Sequence, residues 1–247
     1  MYILIKFLRP EHVSGFLNGS LFFMNIGYFI DLEKNNSESK GIGDQYEGSQ
    51  FRILDNKKDM LSIKIDGKYH KIPFKRGFAT ESNLSARQLL LSCFTLLEFN
   101  SNNFYQDDTN KNENIYKIKP EILEGLEKEF KGRVPILMDA QIFIERFEEK
   151  IKKNLYRRGM VKYFDEYSNY PLTKDQIEKD PIQTVFCKRK FYEHQKEFRI
   201  VLANPSGLES STIELGDLRD FTMQLKNIQD LNTLSFKEEK LTEEHSV

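Results

Sequence analysis

The chain has 247 residues, of which 37 are Lys or Arg and 38 are Asp or Glu, so its formal net charge is −1. This balance excludes a uniformly basic nucleic-acid coat protein, although it is compatible with local basic patches. Hydrophobic residues make up 39% of the chain, and no apolar run approaches the roughly 20 residues of a membrane span. We therefore expect a globular protein with no membrane partner.

The chain opens with a strand–helix–strand pattern. The residues Tyr2–Leu8 are apolar and β-branched enough for a strand, and Pro10 suits the first turn of a helix. A second strand is predicted from Leu21 to Met24. The polar stretch Glu33–Gln50 predicts a long loop, and its glycine-rich part Gly43–Gly48 is compact enough to be a functional turn.

The middle of the chain is typical of a β-meander. Strands are predicted over Phe51–Leu54, Met60–Ile65 and Tyr69–Phe74, and the Asp66-Gly67 pair suits the hairpin turn between the last two. The strongly apolar run Leu89–Phe99 predicts a central strand.

Helices are predicted later in the chain. After an Asn- and Asp-rich loop over Asn100–Asn114, apolar stripes predict helices over Pro120–Phe130 and Ala140–Asn154, with a strand over Val134–Met138 between them. We expect a helical insertion at about residues 115–170.

Two late strands are predicted, over Ile182–Phe186 and Glu197–Ala203, and the charged tail at about 237–247 is expected to fray. The order of the elements favours a single α+β domain over residues 1–247, with a mostly antiparallel central sheet.

The late segment Tyr192–Leu202 holds the most informative polar residues. In a strand alternate residues share a face, so Gln195, Glu197 and Arg199 would point together, opposite an apolar face. An amide, a carboxylate and a guanidinium in one row could hold a polar ligand, and Glu197 could stabilise an oxocarbenium-like transition state. The alternative is a solvated strand face with a weak Glu–Arg contact.

Other candidates are scattered along the chain. The central strand contains Ser92-Cys93-Phe94-Thr95, whose hydroxyls could orient a ligand or bond to backbone. Asp44 and Glu47 of the glycine-rich turn could bind a metal or a ribose hydroxyl, or belong to a flexible acidic loop.

A nucleotide pocket could also form where the first two strands end. Lys6 and Arg9 lie at the end of the first strand, and Tyr28 follows the second. The alternative is a solvated pair of cations and an aromatic ring packed in the core. Phosphate could be attracted by two basic runs, although solvated faces explain such runs equally. They are Lys150, Lys152, Lys153, Arg157, Arg158 and Lys162, and Lys188, Arg189 and Lys190.

Several common functional motifs are absent. The chain has no P-loop, no Rossmann fingerprint, no HExxH and no GxSxG. Its two cysteines, Cys93 and Cys187, lack a CxxC or a nearby histidine at ligand spacing, which argues against zinc and disulfides. A reducing, cytoplasmic location fits this cysteine usage.

The Ser92-Cys93-Phe94-Thr95 strand, followed much later by Tyr192…Gln195-Lys196-Glu197-Phe198-Arg199, resembles a group of uncharacterised bacterial proteins of mobile and defence regions. The same order is similar to the ADP-ribosyltransferase superfamily, with its first-strand polar residue, middle-strand hydroxyl motif and late [QE]-x-E pair. This resemblance implies an ADP-ribosyltransferase-like sheet and NAD as a substrate.

The resemblance also implies roles for individual residues. Lys6 or Arg9 would match the first-strand residue, and Ser92 and Thr95 would stand near the hydroxyl motif and shape the nicotinamide pocket. The pair Gln195 and Glu197 would match [QE]-x-E. In that case Glu197 is catalytic, Gln195 orients the acceptor, and Arg199 supports Glu197 or contacts phosphate.

Three functions follow as expectations. The first is an NAD-dependent mono-ADP-ribosyltransferase-like toxin or anti-phage effector, with a protein or nucleic-acid acceptor and an antitoxin or defence-system partner. The second is a non-catalytic binding or sensor module of a defence system that docks through the helices at about 120–155. The third is a metal-dependent nuclease in which Asp44, Glu47 and Glu197 hold the cation.

Overall fold

A computed structural model describes residues 2–35, 43–107, 114–168 and 170–237. It contains helices and strands in mixed order, with a main antiparallel sheet. The α-helices are α1 (Pro10–Leu17), α2 (Ile26–Asn35), α3 (Pro120–Glu129), α4 (Ala140–Glu148) and α5 (Lys174–Lys179). Short 3-10 helices cover Leu84–Gln88, Lys153–Leu155, Pro181–Phe186, Lys190–Gln195 and Ile228–Thr233.

The strands fall into an early and a late group along the chain. The early strands are β1 (Tyr2–Leu8), β2 (Ser20–Asn25), β3 (Gln50–Leu54), β4 (Leu61–Ile65), β5 (Lys68–Ile72), β6 (Gly77–Glu81), β7 (Leu90–Glu98), β8 (Phe104–Gln106) and β9 (Ile115–Ile118). The late strands are β10 (Val134–Asp139), β11 (Tyr156–Met160), β12 (Lys162–Phe164), β13 (Cys187–Arg189), β14 (Glu197–Leu202), β15 (Ser210–Glu214), β16 (Thr222–Gln224) and β17 (Phe236–Lys237).

The chain divides into two compact units. Unit 1 takes the described residues of Met1–Leu21, Phe94–Ile151 and Ile213–Val247, and unit 2 takes those of Phe22–Cys93 and Lys152–Thr212. The division falls inside β7, between Cys93 and Phe94. The expectation of a single domain over residues 1–247 stays a prediction.

Unit 1 is built on β1, which pairs antiparallel with β7 on one side and with β10 on the other. Strand β16 pairs antiparallel with β10. Because β1 is internal and consists largely of Ile, Leu and Phe, it is buried on both faces, and Leu4 and Ile5 are fully buried. Helix α3 adds Ile122 and Leu126 to the same apolar core.

Within unit 2, strand β14 lies between β11 and β7 and pairs antiparallel with β11. Strands β12 and β13 form a short parallel pair, which brings the Cys187–Arg189 segment beside Lys162–Phe164. Strands β3 and β6 form one hairpin-like pair, and β4 and β5 form another.

Most predicted elements are confirmed, and four predictions need correction. The β-meander is not formed, because β3 pairs with β6, whereas β4 and β5 form a sheet of their own. Residues 181–186 form a 3-10 helix instead of a strand, because Pro181 sits in its first turn and Thr184 donates its hydroxyl to the Pro181 carbonyl. The second predicted helix ends at Glu148, not Asn154. The predicted loop over Asn100–Asn114 contains β8, because Phe104 is buried in the core of unit 1.

The helical insertion at about 115–170 is not confirmed. Helices α3 and α4 do lie in this range, but so do β9 to β12, and β10 is a strand of the unit 1 sheet between β1 and β16. The predicted frayed tail beyond Lys237 lies outside the described residues.

Candidate functional site

Strand β14 places Glu197 and Arg199 in the interior of unit 2. Alternate residues of a strand share a face, and this face is covered, so Glu197 is only 5% exposed and Arg199 is fully buried. The interpretation of these residues as a solvated strand face is therefore wrong. Both faces of β14 are covered, since all six of its residues are buried.

Arg199 joins two carboxylates. Its Nε donates to Glu197 Oε1 at 2.8 Å, and its Nη1 donates to Glu47 Oε1 at 2.5 Å. Its Nη2 donates to both residues, at 3.0 Å to Glu47 Oε2 and 3.1 Å to Glu197 Oε2. A further bond goes to the backbone carbonyl of Val185. One guanidinium thus holds the glycine-rich turn against the late strand.

Lys188 connects the predicted [QE]-x-E pair. Its Nζ donates to Gln195 Oε1 at 2.8 Å and to Glu197 Oε2 at 3.0 Å, and all three side chains are buried. Gln195 lies at the end of a 3-10 helix and not on the strand, because Lys196 takes a left-handed backbone conformation with φ of 45° before β14 begins. The amide and the carboxylate still converge on one ammonium group.

The glycine-rich turn is fixed by Arg189. The Asp44 carboxylate, 2% exposed, accepts from Arg189 Nη2 at 2.8 Å, and the same nitrogen contacts Glu33 at 3.3 Å. The Tyr192 hydroxyl donates to the carbonyl of Gly43 at 3.2 Å. The interpretation of Asp44 and Glu47 as part of a flexible acidic loop is therefore wrong, because both carboxylates are buried against arginines.

We call six buried residues the charge cluster: Asp44, Glu47, Lys188, Arg189, Glu197 and Arg199. The cluster holds three cations and three anions, and Glu33 adds a further carboxylate on Arg189, so every buried cation has an acidic partner. Each of the four carboxylate oxygens of Glu47 and Glu197 accepts at least one hydrogen bond from a cation. Among the described residues, Arg189 Nε is buried without a hydrogen-bond partner, so the network is fully paired around Arg199 and less completely around Arg189.

The two glutamates that share Arg199 differ in acidity. Burial raises the pKa of Glu47, and the attraction of Arg199 and Lys188 does not offset it. Burial acts in the same direction on Glu197, but there Arg199, Lys188 and a hydrogen bond from Cys93 outweigh it, so the pKa of Glu197 is well below its usual value. As the pH falls, Glu47 therefore takes up a proton before Glu197 does.

The cation site of the nuclease interpretation has no counterpart in this geometry. Arg199 lies between Glu47 and Glu197, and Asp44 is paired with Arg189. Within the described parts of the chain, no three His, Cys, Asp or Glu side chains are grouped as ligands for a metal ion.

Of the five residues expected to bind a cofactor, three lie in unit 1 and two lie in unit 2. In unit 1, the Lys6 ammonium lies 4.4 Å from the centroid of the Phe94 ring, Arg9 is exposed, and Thr95 is buried. In unit 2, Tyr28 is 46% exposed on α2 and Ser92 is buried in β7. Their role toward NAD stays a prediction.

The two basic runs differ in their exposure to solvent. Lys188 and Arg189 are buried in the charge cluster, so the interpretation of this run as a solvated face is wrong for those two residues, whereas Lys190 is exposed. The residues of the other run, from Lys150 to Lys162, are exposed. Sequence reasoning missed Lys188 and Arg189 as partners of the acidic residues. The available signal was the position of this basic triplet, just before the strand that carries Glu197.

A second candidate site is the pair β4 and β5, which we call the basic hairpin (residues 57–76). The two strands form a sheet of their own, and every residue from 60 to 73 is exposed. Seven residues of the segment are Lys or Arg and two are Asp, a net charge of +5 in a chain whose overall charge is −1. Sequence reasoning recognised the strands but not this charge concentration, which a count of lysines shows directly.

The basic hairpin also exposes apolar side chains. Leu61, Ile63 and Ile65 alternate along β4, and Ile72 lies opposite Leu61 on β5. Their exposed fractions are between 38% and 50%. Exposed aliphatic residues surrounded by charge mark interaction surfaces more often than ordinary solvent-facing strands.

The helices expected to dock a partner bury their apolar stripes, and a docking role for their exposed residues stays a prediction. Ile122 and Leu126 of α3, and Phe143 and Phe147 of α4, are buried. In the described part of the chain, no helix is both long and apolar enough to cross a membrane. Comparison of the chain with protein-family models, curated proteins and solved structures finds no match.

Proposed function

We propose that this protein is a binding module that contacts an anionic macromolecule through the basic hairpin. The observation that carries the proposal is the hairpin itself, with continuous exposure over residues 60–73 and a net charge of +5 over residues 57–76. A stripe of this charge attracts polyanions and accelerates their association. The charge cluster then has a structural role, in which it fixes the glycine-rich turn against β13 and β14.

Burial of the charge cluster supports this division of roles. A catalytic carboxylate must reach its substrate, whereas Glu197 is 5% exposed and both of its oxygens are occupied by Arg199 and Lys188. The hairpin lysines, in contrast, are exposed and can meet a partner without any rearrangement. A defence-system setting for the binding module stays a prediction.

Retention on immobilised heparin tests this proposal. We expect the wild type to be retained and the triple variant Lys64→Gln/Lys68→Gln/Lys71→Gln to elute at clearly lower salt, because three exposed cations are lost. The matched control is Lys150→Gln/Lys152→Gln/Lys153→Gln, which removes the same charge from another exposed segment. Equal elution of the wild type and the hairpin variant, or a larger loss in the control, would contradict the proposal.

A second candidate is the ADP-ribosyltransferase-like activity implied by the resemblance. It is supported by the convergence of Gln195 and Glu197 on one ammonium group, which keeps the two polar members of the [QE]-x-E pair together. On this candidate Glu197 stabilises the oxocarbenium-like transition state after the network opens.

Nicotinamide release from NAD tests the second candidate. The purified protein is assayed with and without cell lysate as a source of acceptor, in the wild type and in Glu197→Gln. Release by the wild type that disappears in a variant shown by circular dichroism to be folded would favour the transferase. The binding-module proposal predicts no release from either protein.

A further inference from the structure

The basic hairpin is a two-stranded ribbon, exposed among the described residues, with chemically different faces. The register pairs Lys64 with Tyr69 and Ser62 with Lys71, so these four side chains share what we call the lysine face. The opposite face carries Leu61, Ile63, Ile65 and Ile72 together with His70 and Lys68, and we call it the aliphatic face. Both faces are exposed, so a partner can surround the ribbon instead of covering one side.

The dimensions of the ribbon fit a nucleic-acid groove. Its five-residue strands extend about 17 Å, and the major groove of B-DNA admits a two-stranded β-ribbon. Duplex DNA carries one charge per about 1.7 Å of axis, so a ribbon of this length faces roughly ten phosphates. Lysines on both faces and at both ends of the hairpin can therefore reach phosphates on both walls of a groove.

The aliphatic face distinguishes DNA from a simple polyanion. Apolar side chains contact thymine methyl groups, and Leu and Ile also serve as wedges between base steps in proteins that deform DNA. Ile65 stands directly before the Asp66-Gly67 turn, at the tip of the ribbon. A highly charged polypeptide with no apolar groups would leave this face without a partner.

We infer that the anionic partner of the basic hairpin is duplex DNA, with the lysines on its phosphates and the aliphatic face against bases and sugars. This inference rests on the proposed function and names its partner class. An RNA duplex fits less well, because its deep and narrow major groove excludes side chains.

Binding of a fluorescent DNA duplex of mixed sequence, followed by anisotropy between about 50 and 200 mM salt, tests the inference. The wild type is expected to bind with a steep salt dependence. The variant Lys64→Gln/Lys68→Gln/Lys71→Gln is expected to lose about tenfold or more in affinity at the lower salt. Its slope of log affinity against log salt should fall by about 0.9 for each phosphate contact removed. The Lys150→Gln/Lys152→Gln/Lys153→Gln control is expected to keep the wild-type slope.

A second variant isolates the aliphatic face. Ile63→Thr/Ile65→Thr keeps β-branched side chains on the exposed strand, so we expect it to fold. It should bind DNA several-fold more weakly than the wild type with an unchanged salt slope, because it removes apolar contacts and no charge. Unchanged affinity would overturn the role of this face.

Competitors separate failure of the inference from failure of the proposed function. An RNA duplex and polyglutamate, matched to the DNA in charge, are expected to compete less well than unlabelled DNA. Equal or better competition by either one would overturn the DNA assignment. If the hairpin lysines are needed for heparin retention but the protein does not bind DNA, the inference alone is overturned. If heparin retention does not depend on the hairpin, the proposed function is overturned as well.

Discussion

Replacement of Arg199 by Met is expected to destabilise unit 2 strongly. Arg199 is fully buried and bridges Glu47 and Glu197, so its loss leaves two buried carboxylates without their shared cation. Breaking a buried ion pair by removing one partner costs about 3–5 kcal/mol. In a chain of this size that corresponds to a fall in melting temperature of about 6–20 °C.

Thermal unfolding followed by circular dichroism measures this effect. The matched control is Arg157→Met, on the neighbouring strand β11, where the arginine is exposed and a change within about 0.5 kcal/mol is expected. Arg199→Lys, which restores a charge but not the forked geometry, should fall between the wild type and Arg199→Met. A melting temperature of Arg199→Met equal to that of the wild type would show that the charge cluster does not hold the fold.

Glu197→Gln is expected to cost much more stability than Glu47→Gln at neutral pH. The pKa of Glu197 is lowered by Arg199 and Lys188, so its charge stabilises the folded state, and removing it should cost about 3–5 kcal/mol. Burial raises the pKa of Glu47, so the folded state holds the charge of Glu47 less favourably than that of Glu197, and Glu47→Gln should cost less than Glu197→Gln. Parallel denaturant titrations of the two variants measure the difference, and the reverse order would contradict this assignment of charge.

The shifted pKa values of Glu197 and Glu47 also predict how the stability of the folded protein depends on pH. Because the folded-state pKa of Glu197 lies below its ordinary value of 4.5, its contribution to stability is fully present above that pH and is lost as the pH falls through the lowered value. For Glu47 the contribution is present below pH 4.5 and is lost as the pH rises through its raised value. The stability gap between the wild type and Glu197→Gln should therefore narrow in acid, whereas a gap that stays constant would contradict the lowered pKa.

The local elements could be predicted because their signals are local. The apolar run of β1, the proline at the start of α1 and the apolar stripe of α3 each predict one element, and the structure confirms each of them. The short helix at Pro181–Phe186 was missed because Ile182, Thr184 and Val185 are β-branched, which favours a strand in a segment this short.

The site could be predicted only in part, since its contacts are distant in sequence. The pattern placed Glu197 and Arg199 on one face, but Arg199 also pairs with Glu47, which is 152 positions away. Likewise Arg189 meets Asp44 across 145 positions. The alternation of Leu61, Ile63 and Ile65 predicts a half-buried strand. In the structure this strand is exposed among the described residues, and no local feature of the sequence indicates that exposure.

Lysine-specific chemical labelling, read by mass spectrometry with and without heparin, tests the central claim most directly. It maps the contact surface on the wild type, so no substitution can disturb the fold. The account predicts that Lys64, Lys68 and Lys71 are protected by the polyanion, whereas Lys150 and Lys152 label equally in both conditions. Protection that spares the basic hairpin, or that falls on Lys150 and Lys152 instead, would contradict the account.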